Sequence, residues 1–121
     1  MHGLEWVFSI VLAAVFFITG VIQVFCYEKS RDLLPWVKDV PRALAQAIGV
    51  AEILGALGLI LPVITGIYSW LTPVAAVGLA LLMLLAAVFH LHRRETTEAG
   101  LNGLLLIMLV IVAYVRWPLM P

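Results

Sequence analysis

Residues 42–61 read Arg42-Ala-Leu-Ala-Gln-Ala-Ile-Gly-Val-Ala-Glu-Ile-Leu-Gly-Ala-Leu-Gly-Leu-Ile-Leu61, and among them only Arg42, Gln46 and Glu52 are strongly polar. A helix of this length rises about 1.5 Å per residue and reaches about 30 Å, the thickness of the hydrocarbon core of a bilayer. Three further runs of the same kind lie near Trp6 to Cys26, Trp70 to Leu91 and Ala99 to Val115. Lipid offers no solvent to backbone N–H and C=O groups, so each run must satisfy its own as a helix. The expected fold is all-α, a membrane-embedded antiparallel four-helix bundle forming one domain over residues 1–121. The first run lacks a basic leader and a small-residue cleavage site, so it reads as a retained helix.

Composition excludes several function classes. The chain is 64% hydrophobic and 12% charged, where a soluble domain carries about 25% charged residues. The formal net charge is +0, which predicts no nucleic-acid partner. Cys26 is the single cysteine, so neither an intrachain disulfide nor a thiol redox pair is possible within one chain. No haem, flavin or iron–sulfur ligand set is visible, and the reading assigns the chain no cofactor of its own. His90, His92 and Glu95 cluster at a wet helix end and read as solvated side chains, not as a metal site.

Short connections make neighbouring helices antiparallel. Pro62 to Ser69 reads as an uncharged turn opened by proline, and His92 to Glu98 as a polar turn. The first connection, Tyr27 to Pro41, is longer and carries the apolar patch Leu33-Leu34-Pro35-Trp36-Val37. Such a patch reads either as an interfacial anchor or as a lid over a cavity. Lys29, Arg31, Lys38, Arg42, Arg93 and Arg94 lie on one side and Arg116 on the other. Basic residues are retained in the cytoplasm, so both termini are expected outside it.

Small residues recur at Ala47, Ala51, Gly55 and Gly58 in the second run, and at Ala76, Ala80 and Ala87 in the third. In lipid they read as helix contacts, because packing drives association there. Glu52 stands near mid-membrane, where an ionised carboxylate costs roughly 2.5 to 3.5 kcal/mol, and it must face the bundle interior. Thr19, Gln23, His90 and Asn102 lie toward the expected cytoplasmic ends of the other helices and can converge above it. Gln and Asn also serve as interhelical glue, and His90 and His92 as interfacial residues satisfied by water. A lone mid-bilayer carboxylate without a mid-depth cation points more strongly to function.

These residues also compose a pattern. Gly20-Val-Ile-Gln23, Gly49-Val-Ala-Glu52-Ile-Leu-Gly55, Gly58-Leu59, Pro62, Leu71-Thr-Pro-Val-Ala-Ala-Val-Gly-Leu79, Ala86-Ala-Val-Phe-His90, Arg94-Glu95 and Asn102 follow in order. In this the chain resembles the DoxX-like family of small four-helix membrane proteins. The resemblance implies association with quinone-linked membrane oxidation, with thiol and oxidative stress responses or, in animals, with the assembly of membrane receptors. It also marks a departure, since the family pattern commonly has lysine where this chain has Gln23. A lysine could neutralise the buried acid, whereas glutamine can only hydrogen-bond it, so Glu52 is expected to be neutral and to donate to a bound headgroup.

The functional expectation is a binding or accessory module. Glu52, His90, Asn102, Gln23 and Thr19 would line a polar pocket for a lipophilic ligand such as a quinone or isoprenoid, or the bundle would dock a partner membrane protein or a second copy. The alternatives are a proton-coupled transporter using Glu52, or a membrane subunit of a quinone-linked oxidoreductase. Against the first, the small multidrug transporters carry their essential Glu in the first helix, and this first run has no central acid. The expected location is the plasma (inner) membrane of a bacterium.

Overall fold

The computed structural model describes residues 3–120. Five α-helices follow in order: α1 (Leu4–Phe25), α2 (Tyr27–Leu33), α3 (Arg42–Thr65), α4 (Leu71–His92) and α5 (Thr96–Arg116). Four of these, α1, α3, α4 and α5, are long and apolar enough to cross a membrane, with mean hydropathy between 2.1 and 2.5. The packing closes a ring in which α1 lies against α3, α3 against α4, α4 against α5 and α5 against α1. The most extensive contacts are α4 with α5 and α1 with α3; the seam between α3 and α4 is looser, and that between α1 and α5 looser still.

Each spanning helix buries one stripe. On α1 the buried residues are Glu5, Ser9, Leu12, Phe16, Gly20 and Gln23, spaced by three and four, which is one face of a 3.6-residue helix. On α3 they are Ala45, Gly49, Glu52, Ala56, Leu59 and Pro62. Leu12, Phe16, Ala56, Leu59, Ala76, Leu79, Met83, Leu109 and Val112 form the common core. Large apolar side chains such as Phe17, Leu54, Leu85 and Ile107 stand exposed, as expected of a surface that meets hydrocarbon.

The small-residue stripe of α3 divides. Ala47 and Ala51 are exposed, which corrects the expectation that they form a helix contact. Gly55 and Gly58 do meet α4, where an added Cβ would fall 2.6 Å from Leu79 and 2.7 Å from Ala75. The reason is angular: the true contact face runs through Gly49, Glu52 and Ala56, and Ala47 and Ala51 lie beside it. The tightest backbone approach is between α1 and α3, where a Cβ on Gly20 would sit 2.6 Å from the Gly49 carbonyl oxygen.

Pro62 does not open a turn; it lies inside α3, which continues to Thr65. A proline in a helix leaves the carbonyl four residues earlier without its donor. Here that carbonyl belongs to Gly58, and the Thr72 hydroxyl of α4 donates to it at 2.9 Å. The neighbouring helix thus supplies the missing bond, and the chain turns only at Gly66, whose φ of 72° suits glycine. The connection from α1 to α3 is likewise more ordered than a loop. It holds α2 and a 3₁₀ turn over Pro35–Asp39, with Val37 fully buried and Leu33 exposed.

Candidate functional site

Helix α1 sets Thr19 and Gln23 one turn apart on a single face, and α3 brings Glu52 to them. Thr19 Oγ1 lies 2.8 Å from Glu52 Oε2, and Gln23 Nε2 donates to Glu52 Oε1 at 2.9 Å. Such short bonds require the two helices to be nearly in backbone contact, which Gly20 and Gly49 permit. Both carboxyl oxygens are therefore engaged by α1. Thr19 Oγ1 is also 2.9 Å from the Val15 carbonyl oxygen, and a hydroxyl has one proton to give. With Glu52 ionised, that proton points at Oε2; with Glu52 neutral, Oε2–H donates to Thr19, which donates to Val15. The same heavy-atom arrangement serves both states.

Above this triad lies a cavity of about 460 Å³, within the range of small-molecule sites. Thr19, Gln23, Glu52, His90 and Asn102 all line it, so the structure brings every residue of the expected pocket to one space. Thr19, Gln23 and Glu52 bond one another, but His90 and Asn102 do not join them. His90 Nδ1 pairs with Glu95 Oε1 at 2.8 Å, not with Glu52. Asn102 Nδ2 and Gln23 Oε1 are buried with no hydrogen-bond partner among the described residues. The sequence-based expectation of Glu52 donating directly to a headgroup thus meets a different geometry, in which Gln23 and Asn102 carry the free polar atoms. His92 is exposed and stands apart from this wall.

Residues of the first connection complete the site: its apolar patch, read as an interfacial anchor or a lid, and others that carried no such signal. Leu34, Trp36 and Val40 of the first connection line the cavity, so the lid reading of this segment is the one its position favours. Arg93 Nη2 donates to Asp39 Oδ2 at 2.5 Å, and Arg93 Nε to Glu95 Oε1 at 3.1 Å. Hydrogen bonding to Asp39 raises the Arg93 pKa above the ordinary arginine value, so the guanidinium stays charged. A chain of contacts therefore runs from the lid through Arg93 and Glu95 to His90 in the cavity wall. The signal available beforehand was the apolar patch at residues 33–37; the pairing partners, 54 residues apart, had none.

A family model described as the DoxX-like family matches residues 7–112. The chain belongs to the DoxX-like family. No curated protein and no solved structure matches it. The matched span of this DoxX-like protein takes in all four membrane-capable helices, except the ends of the first and last, and the whole polar wall. With its family and its apolar helices it is an integral membrane protein.

Proposed function

We propose that this DoxX-like protein is a binding module that holds a lipophilic molecule, of the quinone or isoprenoid kind, by its polar headgroup in the cavity between Gln23, Glu52, His90 and Asn102. What supports this is the pair of unpartnered amide atoms. Gln23 is 1% exposed, and a buried polar group without a partner costs about 1 to 3 kcal/mol. A headgroup hydroxyl, as on a quinol or a polyprenol, donates to Gln23 Oε1 and accepts from Asn102 Nδ2 and so recovers that cost, whereas a quinone carbonyl recovers only the Asn102 part. Glu52, itself bonded to Thr19, accepts from the Gln23 amide and leaves its oxygen for the ligand, while the apolar remainder of the wall, including Phe16, Ile48 and Phe89, receives the ligand body.

Native mass spectrometry from mild detergent tests this. The wild-type protein carries a small lipophilic molecule, and Gln23→Leu and Asn102→Leu, which remove the free polar atoms while keeping an apolar side chain, lose it. A protein that stays bare in every preparation and takes up neither added quinone nor polyprenol would exclude the function.

A further inference from the structure

The cavity does not end at its polar wall. A second, apolar groove of about 540 Å³ follows the outer seam between α3 and α4, bordered by Ala51, Gly55 and Gly58 on one side and by Ala75 and Gly78 on the other. Leu82 and Leu85 line both spaces, so the groove and the cavity adjoin there. Leu85 is 68% exposed, on the surface that faces hydrocarbon. The groove is open at Gly78, where an added Cβ would have nothing within 4 Å and a larger side chain has room to enter. Along α4 the groove extends from Leu85 to Leu71, about 21 Å at 1.5 Å per residue. That exceeds the roughly 15 Å of one hydrocarbon leaflet, half of about 30 Å.

The polar wall specifies the other end of the occupant. His90 Nδ1 is taken up by Glu95 at 2.8 Å, which leaves Nε2 as the ring nitrogen free for a ligand. Among the described residues, Gln23 Oε1 is an acceptor without a donor, and Asn102 Nδ2 a donor without an acceptor. A hydroxyl both donates and accepts, whereas an ether or carbonyl accepts only and leaves Gln23 unpaired.

We propose that the ligand is a single-chain amphiphile that reaches the cavity sideways from the bilayer through the α3–α4 seam. Its hydroxyl-bearing headgroup sits among Gln23, His90 and Asn102, and its hydrocarbon chain lies in the groove beside Gly78. This rests on the binding function proposed above and adds the route, the chain and the headgroup chemistry to it. The head then stands at the His90 end of the bundle, and the chain runs through mid-membrane along a groove that continues to Leu71 at the opposite end of α4.

The test uses the full chain in phosphatidylcholine nanodiscs with three probes: 4-dodecylphenol, its methyl ether 4-dodecylanisole, and 4-ethylphenol. Binding is measured by equilibrium dialysis against protein-free nanodiscs, so that bilayer partition cancels. The methyl ether should bind about tenfold more weakly than the phenol, since it strands the Gln23 acceptor. Gly78→Leu, and independently Ala51→Leu, fill the groove from exposed positions outside the polar wall. Each should weaken 4-dodecylphenol about tenfold and leave 4-ethylphenol unchanged. Equal binding of phenol and ether would overturn the hydroxyl assignment, and an unchanged 4-dodecylphenol affinity in both groove variants would overturn the chain site. In either case, probe binding that still depends on Gln23 and Asn102 leaves the cavity's function standing. Binding indifferent to all four positions would overturn both.

Discussion

Thr72 and Glu52 are the residues whose loss reads most directly. Thr72 stands in for the N–H that Pro62 lacks, by donating to the Gly58 carbonyl. Thr72→Val keeps the shape and removes the donor, and should destabilise the bundle by about 1 kcal/mol, within the range of interhelical hydrogen bonds in membranes. In a Pro62→Ala background the restored N–H serves Gly58, so the same substitution should cost less. Melting in detergent across the double-mutant cycle checks the coupling; strictly additive effects would show that Thr72 acts elsewhere. At Glu52, Glu52→Gln retains a carbonyl for Gln23 and should keep the fold and most ligand binding. Glu52→Ala leaves the Gln23 Nε2 donor without its acceptor, while Thr19 keeps the Val15 carbonyl, and should lose binding. Equal loss in both variants would favour a carboxyl group that must titrate, as transport requires.

Among the elements, the approach of α1 to α3 and the lid are the features that shape the cavity. Adding a methyl at Gly20 drives it onto the Gly49 carbonyl oxygen at 2.6 Å, against backbone that cannot yield, whereas at Gly55 the methyl meets the side chain of Leu79. Gly20→Ala should therefore destabilise by roughly 1 to 3 kcal/mol and lose ligand, and Gly55→Ala should do less of both. Thermal unfolding with ligand retention compares them, and a reversed order would place the helix contact elsewhere. The lid is held by Asp39, Arg93 and Glu95, with Arg93 and Asp39 at 32% and 50% side-chain exposure. Ion pairs so exposed contribute about 0 to 1 kcal/mol, so their loss should leave the fold intact. Arg93→Gln should speed ligand dissociation, and salt should speed it in the wild type while changing the variant less. Stopped-flow release measures both; insensitivity to salt in the wild type would deny the latch.

At the scale of the whole molecule, the Asp39–Arg93 bond joins the first and third connections at one end of the bundle, while Tyr68 and Trp70 stand at the other. The charge bias then concerns one real face: Lys29, Arg31, Lys38, Arg42, Arg93 and Arg94 against Arg116. We propose that this face is cytoplasmic and that both termini lie outside. With Cys26 replaced by Ala, a cysteine at Lys38 should resist an impermeant maleimide in intact cells, and a cysteine at the exposed Tyr68 should react. The opposite labelling pattern would invert the topology.

The sequence by itself determined the bundle, because a run of apolar residues about 30 Å long has one stable form in lipid and short connections leave one arrangement of neighbours. It also determined that Glu52 faces inward, since exposing a carboxyl group to hydrocarbon costs too much. The residues around it were legible by depth, which helical rise sets. Their partners were not. Whether His90 turns to Glu52 or to Glu95 depends on a rotation of α4 and a turn beyond it. Whether Ala51 or Gly49 meets a neighbouring helix depends on an angle that an almost uniformly apolar helix does not record. In water the buried face announces itself by polarity; in lipid both faces are apolar, and only packing chooses between them. Tertiary structure alone therefore decided the contact at Gly20 and Gly49, the lid latched to Arg93, the amide atoms left free in the cavity, and the groove beside Gly78.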